Sequence, residues 1–351
     1  MRKISVIVPC YNVENLIDRC VKSLVEQSLG MEQMELIFVD DASTDRTMEH
    51  LVQWEHKYPD DILVIHCDEN GKQGTARNIG MQNSSGQYIG FVDADDYVEP
   101  DMFECLTETA DRENCEVVCG LYQREWEDGS LVEKPVYRED ADHREEIITI
   151  EDRKRFLKKG LTGGVWSSIY RRDFIFQNEL WFPEHICYED NYWGAVRSFV
   201  LKSYYIVNKV FYHYVVNRNS TIVQRDSTVH FDRLKIELMK LDKYAEMGVM
   251  SEFHDEIEAG FINMFYLNSL HMFFDRFTVL PYDMIYFVKD TVLRTFPDYD
   301  KNPLLKELSP LAQSLLEVMQ YEWDKDIVDE IARQYREICD EVDRKRAQEE
   351  I

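Results

Sequence analysis

Four short apolar runs set the rhythm of the first hundred residues. Ile4-Ser5-Val6-Ile7-Val8-Pro9, Leu36-Ile37-Phe38-Val39, Ile62-Leu63-Val64-Ile65 and Tyr88-Ile89-Gly90-Phe91-Val92 are rich in β-branched and aromatic residues, and each gives way to a polar turn. Runs of this length and composition predict buried strands. Between them the apolar positions change period. Leu16, Ile17, Cys20, Val21, Leu24 and Val25 follow helical spacing, Met48, Leu51, Val52 and Trp54 mark a second helix, and Gly74 to Met81 opens a third. Ser43 or Thr44 stands where a residue would cap the second helix. The alternation predicts an α/β fold with a parallel sheet covered by helices on both faces. Such sheets bind ligands beyond the C-terminal ends of their strands.

Past residue 100 the pattern continues with a helix, a strand over Glu116-Val117-Val118-Cys119-Gly120-Leu121, and a polar, irregular stretch from 122 to 150 that turns at Glu127-Asp128-Gly129-Ser130. A helix carrying Trp193, Val196 and Val200 follows, then an alternating strand over 210–216. Beyond 225 only helical spacing remains. Leu234, Leu238, Leu241 and Tyr244 suggest one helix, and an aromatic run from Ile257 to Phe274 a second. Pro281, Pro297, Pro303 and Pro310 punctuate shorter ones, and the mixed charges from Trp323 onward predict a helix packing one narrow face. Residues 1–222 therefore read as an α/β domain and 223–351 as an all-helical accessory domain, for dimerisation or for docking an acceptor.

Charge narrows the partners. Of 351 residues, 44% are hydrophobic and 13% aromatic, enough for a filled core, while the net charge of -27 argues against nucleic-acid binding and broad adhesion to anionic membranes. The eight cysteines form no CxxC pair and read as free core thiols of a reduced cytoplasm. Met1-Arg2-Lys3 leads into a strand-like run too short for a signal peptide's apolar region, and no stretch is long and apolar enough to span a membrane. Arg153-Lys154-Arg155-Phe156-Leu157-Lys158-Lys159 reads as a solvated helix face, with a site for an anionic acceptor or lipid phosphates as its alternative.

Candidate chemistry gathers at Phe91-Val92-Asp93-Ala94-Asp95-Asp96, three carboxylates at the end of a buried strand. Like charges so placed resist ionisation unless a cation compensates them, and hard oxygen donors suit Mg²⁺ or Mn²⁺ bridging substrate phosphates. An acidic turn before the helix after Glu99-Pro100 is the structural alternative. Two common nucleotide signatures fail: no GxGxxG follows the first strand, and no GxxxxGK[ST] occurs.

Taken in order, Ile4 to Asn12, Phe38-Val39-Asp40-Asp41-Ala42-Ser43-Thr44-Asp45, Ala76-Arg77-Asn78-Ile79-Gly80 and Phe91 to Asp96 resemble family 2 glycosyltransferases over roughly residues 3 to 222. The resemblance implies a GT-A fold, a UDP-sugar donor and inverting transfer to an acceptor hydroxyl, on a carbohydrate or a lipid-linked glycan. By position, Pro9, Tyr11 and Asn12 would line the nucleobase pocket with Tyr11 stacking, and Asp41 would accept the uracil N–H. Asp93 and Ala94 would face the nucleoside, and Asp95 would hold Mn²⁺ or Mg²⁺. Arg77 would brace the acids or the diphosphate, with a plain ion pair to Asp93 as its alternative. Trp166, in Gly163-Gly164-Val165-Trp166, would offer a face to the acceptor sugar, or simply pack in the core. In the Glu189-Asp190 pair, Asp190 would be the catalytic base and Glu189 its support. His213 would complete the metal shell, with a satisfied core histidine in an aromatic strand as its alternative, and Arg218 and Ser220 would close over the diphosphate. The implied setting is the cytoplasm, up to peripheral contact with the inner face of the cell membrane, in surface-polysaccharide or glycolipid assembly. A nucleotidyltransferase and a catalytically degenerate sugar-nucleotide-binding scaffold remain the alternatives.

Overall fold

The computed structural model describes residues 2–133, 135–161, 163–216 and 224–349. The chain divides into two compact units, Met1–Arg218 and Asn219–Ile351. In the first, β1 (Ile4–Cys10), α1 (Ile17–Val25), β2 (Met34–Asp40), α2 (Thr47–Lys57), β3 (Ile62–His66), α3 (Lys72–Gln82) and β4 (Tyr88–Phe91) alternate as the apolar spacing predicts. After the acidic turn come β5 (Tyr97–Val98), α4 (Met102–Glu113), β6 (Val117–Trp126), β7 (Leu131–Glu133), β8 (Arg144–Glu146), α5 (Ile150–Lys159), β9 (Ser168–Arg171), α6 (Arg172–Gln177), α7 (Glu189–Val200) and β10 (Ser203–Val216).

One mixed sheet joins these strands in the order β3-β2-β1-β4-β9-β6-β10-β5. The first four are parallel, β9 runs antiparallel to both β4 and β6, and β6 pairs parallel with β10. Every residue of β1 is buried because it lies inside the sheet with a helix on each face. Val6 and Val8 pack in the cluster that holds Ile17, Cys20, Val21 and Leu24 of α1. Ile7 points the other way, toward α3, and a Cβ on Gly80 would stand 2.3 Å from its Cγ2. The strand period of two thus assigns alternate side chains to different helices.

Neither Ser43 nor Thr44 caps α2. Asp45 Oδ1 accepts the Thr47 N–H at 2.9 Å, while Ser43 Oγ accepts the Asn12 N–H at 3.0 Å and the Thr44 N–H donates to Asn12 Oδ1 at 2.8 Å. These residues tie the turn after β1 to the turn after β2, a link between segments 31 and 32 positions apart. The basic run lies on α5, whose Phe156 is buried while Arg155 pairs with Asp152 and Lys159 with Asp140.

The second unit is helical throughout its described residues: α8 (Asp232–Glu246), α9 (His254–Phe261), α10 (Asn268–Arg276), α11 (Tyr282–Thr295), α12 (Pro310–Val318) and α13 (Lys325–Glu349). A π-helical segment, Ile262–Leu267, joins α9 to α10, so the aromatic run forms one continuous helix whose Phe261, Phe265, Tyr266, Phe273 and Phe274 are all buried. On α13 Val328 and Ala332 are buried and Ile338 and Val342 exposed, the narrow packing its charges predict. No helix among the described residues is long and apolar enough to cross a membrane.

Candidate active site

The site is built where α3 meets the segment leading into α7. A Cβ on Gly74 would lie 2.1 Å from the Pro183 carbonyl oxygen, so only glycine lets the helix come this close. One turn further on, Asn78 clamps the same segment: its Nδ2 donates to the Phe182 carbonyl at 2.9 Å and to Glu184 Oε1 at 3.0 Å, and its Oδ1 accepts the Phe182 N–H at 3.0 Å. The His185 N–H bonds the Gly71 carbonyl at 2.9 Å. Tyr188, left-handed at φ 64°, then turns the chain into α7 at Glu189.

Arg77 lies between these anchors and joins the two acidic motifs. Its Nη2 donates to Asp93 Oδ1 at 2.8 Å and its Nη1 to Glu189 Oε1, with the Arg77 and Glu189 side chains 2% and 4% exposed. Burial opposes the charge on Arg77, yet Asp93, Glu189 and Asp190 together raise its pKa, so the guanidinium stays charged. One cation does not neutralise three carboxylates. Burial pushes Glu189 up to about 7, with Arg77 opposing and Asp190 and Asp93 adding to the rise. Asp190 is also raised, by burial and by Asp93 against Arg77, and its Oδ1 accepts the Asn191 N–H at 2.9 Å.

The acidic turn is held from both sides. The Tyr212 hydroxyl donates to Asp96 Oδ2 at 2.7 Å and accepts the Asp93 N–H at 3.1 Å, and Asp96 Oδ1 accepts the Val215 N–H at 2.8 Å. Asp96 thus belongs to the scaffold, fixing the turn to β10. Burial and Asp93 raise Asp95 to about 6, while Arg19 lies over the Tyr97 ring and donates to the Asp95 carbonyl at 2.9 Å. Burial, with neighbouring acids adding to it, holds Asp95 and Asp96 above the usual carboxylate range, which is the chemistry that Mg²⁺ or Mn²⁺ relieves, so the residues of this turn fit such an ion. Among the described residues, the trio of donors within 4.8 Å of one another is His254, Asp255 and Glu258, on α9. At the acidic turn such an ion would also take oxygens from a substrate, as Mg²⁺ sites with few carboxylates commonly do.

At the strand ends Pro9 is buried and Tyr11 is 48% exposed, which rules out a core role for that ring. Asn12 is left-handed at φ 51° and laced to Ser43 and Thr44. Asp41 caps the start of α3, taking the Gly71 N–H at 2.7 Å and the Lys72 N–H at 2.9 Å on its two oxygens. Burial raises its pKa and these two bonds lower it, and each oxygen keeps a lone pair beyond the backbone bond. Ala94 is buried.

His213 is 9% exposed on β10 and bonded at both ring nitrogens. Its Nε2 faces Glu99 Oε1 at 2.8 Å and its Nδ1 faces Glu125 Oε2 and Gln123 Nε2, both at 3.0 Å, while its ring stacks on Tyr97 at 4.2 Å. Both ring nitrogens therefore have protein partners, the arrangement of a satisfied histidine within an aromatic strand. Trp166 is half-buried with one face stacked on Tyr212 at 4.3 Å. Arg218 and Ser220 lie outside the described residues. Arg19 and Tyr212 are positioning residues outside the motifs, and Asn78 and Asp96 lie within them but take their roles from partners 104 to 119 positions away.

Known proteins share part of this sequence and its fold. Residues 5–178 match the model of Glycosyl transferase family 2. The uncharacterized glycosyltransferase EpsJ of Bacillus subtilis is 35% identical over 199 residues, 54% of this chain and 53% of that protein. The putative glycosyltransferase EpsH of the same organism is 32% identical over 228 residues, 63% of each. The chain thus spans about half to under two thirds of the length of these curated relatives. Among solved structures, Staphylococcus aureus TarS 1-349 in complex with UDP-GlcNAc superposes with a TM-score of 0.70 at 19% identity, covering 95% of this chain and 92% of that one, a likeness of fold.

Proposed function

Because residues 5–178 make this chain a member of glycosyl transferase family 2, we propose that it is an inverting, metal-dependent transferase moving a hexosyl or N-acetylhexosaminyl group from a UDP-sugar to an acceptor hydroxyl. The assembly served is a surface polysaccharide or glycolipid, built on the cytoplasmic side. The observation that carries this reading is the Arg77 bridge, which holds the acid at the strand end and the acid at the start of α7 on one buried guanidinium. A donor-side acid and an acceptor-side acid are thereby fixed relative to each other before any substrate arrives. That the structurally similar TarS binds UDP-GlcNAc supports the donor class.

The roles follow from the chemistry. The exposed Tyr11 ring stacks on the uracil, Pro9 and Asn12 shape the pocket, and Asp41 offers its remaining lone pairs to the imide N–H. Asp93 and Ala94 line the nucleoside side. Asp95 is the residue that would hold Mn²⁺ or Mg²⁺, which supplies charge stabilisation to the departing diphosphate. Arg218 and Ser220 add to that stabilisation. Glu189 is occupied by Arg77 and supports. Asp190 takes the proton of the acceptor hydroxyl as its oxygen bonds the anomeric carbon and the bond to the diphosphate breaks. Trp166 contributes its free edge to the acceptor, and the helical unit serves dimerisation or acceptor docking.

Calorimetry with UDP, GDP and ADP, each with Mn²⁺ and with EDTA, tests the reading. UDP is expected to bind in Mn²⁺ and to lose that binding in EDTA. Binding of no nucleotide under either condition would instead make the chain a scaffold.

A further inference from the structure

The outer part of β6 carries a cavity that the acids do not use. It measures about 410 Å³ and is lined on its apolar side by Leu121, Tyr122, Pro135 and Val136 and on its charged side by Arg124, Arg138 and Glu133. That size falls within the roughly 300–1,000 Å³ of small-ligand pockets. On one edge β6 pairs with β9 at Val117–Cys119 and with β7 at Arg124 and Glu125. Between them, residues 120–123 have no ladder partner on that edge among the described residues.

The wall is held in place. The Arg138 N–H donates to Asn208 Oδ1 at 2.9 Å, Asn208 Nδ2 donates to the Arg138 carbonyl at 3.0 Å, and the Arg138 guanidinium meets both oxygens of Asp140 at 2.8 Å. Arg124 pairs with the exposed Glu133 at 3.2 Å, and Lys159 also reaches Asp140. Among the lining residues two guanidiniums stand against one carboxylate, Glu133, in a chain of net charge -27. Val136, Tyr137 and Leu131 expose 79%, 62% and 47% of their surface nearby in the chain.

Aromatic rings connect the cavity to the site. Tyr122 meets Trp166 edge-on at 5.0 Å, Trp166 stacks on Tyr212 at 4.3 Å, and Tyr212 bonds Asp96. We infer that the cavity holds the unit of an extended acceptor next to the one being modified, and that Arg124 and Arg138 receive an anionic group on it, a phosphodiester or a uronate carboxylate. The inference rests on the transferase reading. Guanidinium groups favour such oxyanions through paired, charge-assisted hydrogen bonds, and the apolar lining suits the carbon face of a sugar or polyol.

The full chain is titrated calorimetrically with a glycerol phosphate oligomer, an oligogalacturonate, a neutral dextran oligomer and phosphatidylglycerol vesicles, with UDP and Mn²⁺ titrated into the same samples. Arg124→Gln and Val136→Glu probe the cavity at exposed positions. At least one anionic oligomer is expected to bind about tenfold more tightly than dextran, the tighter one naming the source of the charge. Either substitution should weaken it about fivefold or more and leave UDP affinity unchanged. Equal binding of all three oligomers, binding to vesicles alone, or indifference to both substitutions overturns the inference. Failure of UDP to bind the unsubstituted chain overturns the transferase reading instead.

Discussion

Arg77 shows how a single residue type decides the electrostatics of this site. Its guanidinium donates to Asp93 and Glu189, Asp190 adds to the stabilisation of its charge, and its Nε has no hydrogen-bond partner. Lysine would supply one point charge where two separate carboxylates need a fork. With Glu189 bound to Arg77, the proposed function gives Asp190 the acceptor's proton. Asp190→Asn preserves the oxygen that accepts the Asn191 N–H, so the start of α7 stays formed. Turnover with a UDP-sugar is expected to fall about 10²- to 10⁴-fold while UDP affinity is unchanged. A kcat within tenfold of the parent, measured by steady-state kinetics, would move the base elsewhere. His213 teaches the complementary point. Its identity suits a metal, but its neighbours Glu99 and Glu125 employ both ring nitrogens.

Among the elements, α3 does most to organise the first unit. Its start is capped by Asp41, its Gly74 meets the Pro183 carbonyl, its Arg77 joins the acids and its Asn78 clamps residues 182–184. These functions recur at spacings of three and four along one helical face. Gly74→Ala pushes α3 away from the segment that positions Glu189. It should cost about 1–3 kcal/mol in urea unfolding and lower kcat as well. Gly260→Ala in α9 is the internal control. Its Cβ meets nothing within 4 Å, so helix propensity alone should leave stability equal or raise it by up to about 1 kcal/mol. Equal stability loss at both positions would show that close approach is not what Gly74 provides.

For the molecule as a whole, the raised acids make stability depend on pH. Glu189 at about 7 and Asp95 at about 6 both lie above their ordinary range, so the folded state binds their protons more tightly than the unfolded chain does. Each therefore favours folding when protonated, fully below about pH 4, and that advantage is lost as pH rises through 6 and 7. Self-repulsion in a chain of net charge -27 acts in the same direction. The lowered acids Asp140 and Asp152 work oppositely, but below about pH 4. In EDTA, the Tm is expected to fall between pH 4.5 and 7.5, with Glu189→Gln flattening the slope. Mn²⁺ should restore more at pH 7.5 than at pH 5. A metal-free Tm that stays level across this range, by scanning calorimetry, would show that these acids are not raised.

The alternation of short apolar strands with helical spacing was enough to place β1 to β4 and α1 to α3, because each of those elements buries a face whose period is local. The acids at the strand ends, Asp41, Asp93 and Asp95, were legible from the apolar runs they follow, whereas Arg77 was singled out by the family resemblance. The long helix through 257–274 was also visible, though not its π-helical segment Ile262–Leu267. What the tertiary structure decided is which distant groups meet. Antiparallel β9 sits between β4 and β6, so the later strands depart from sequence order. Tyr212 reaches Asp96 across 116 positions, Arg77 reaches Glu189 across 112, and Ser43 bonds Asn12 rather than capping α2. A side chain's local spacing fixes the face it takes on its own helix or strand, but its hydrogen-bond partner is set by how those elements pack. Residue type therefore named the chemistry available, and packing settled its use.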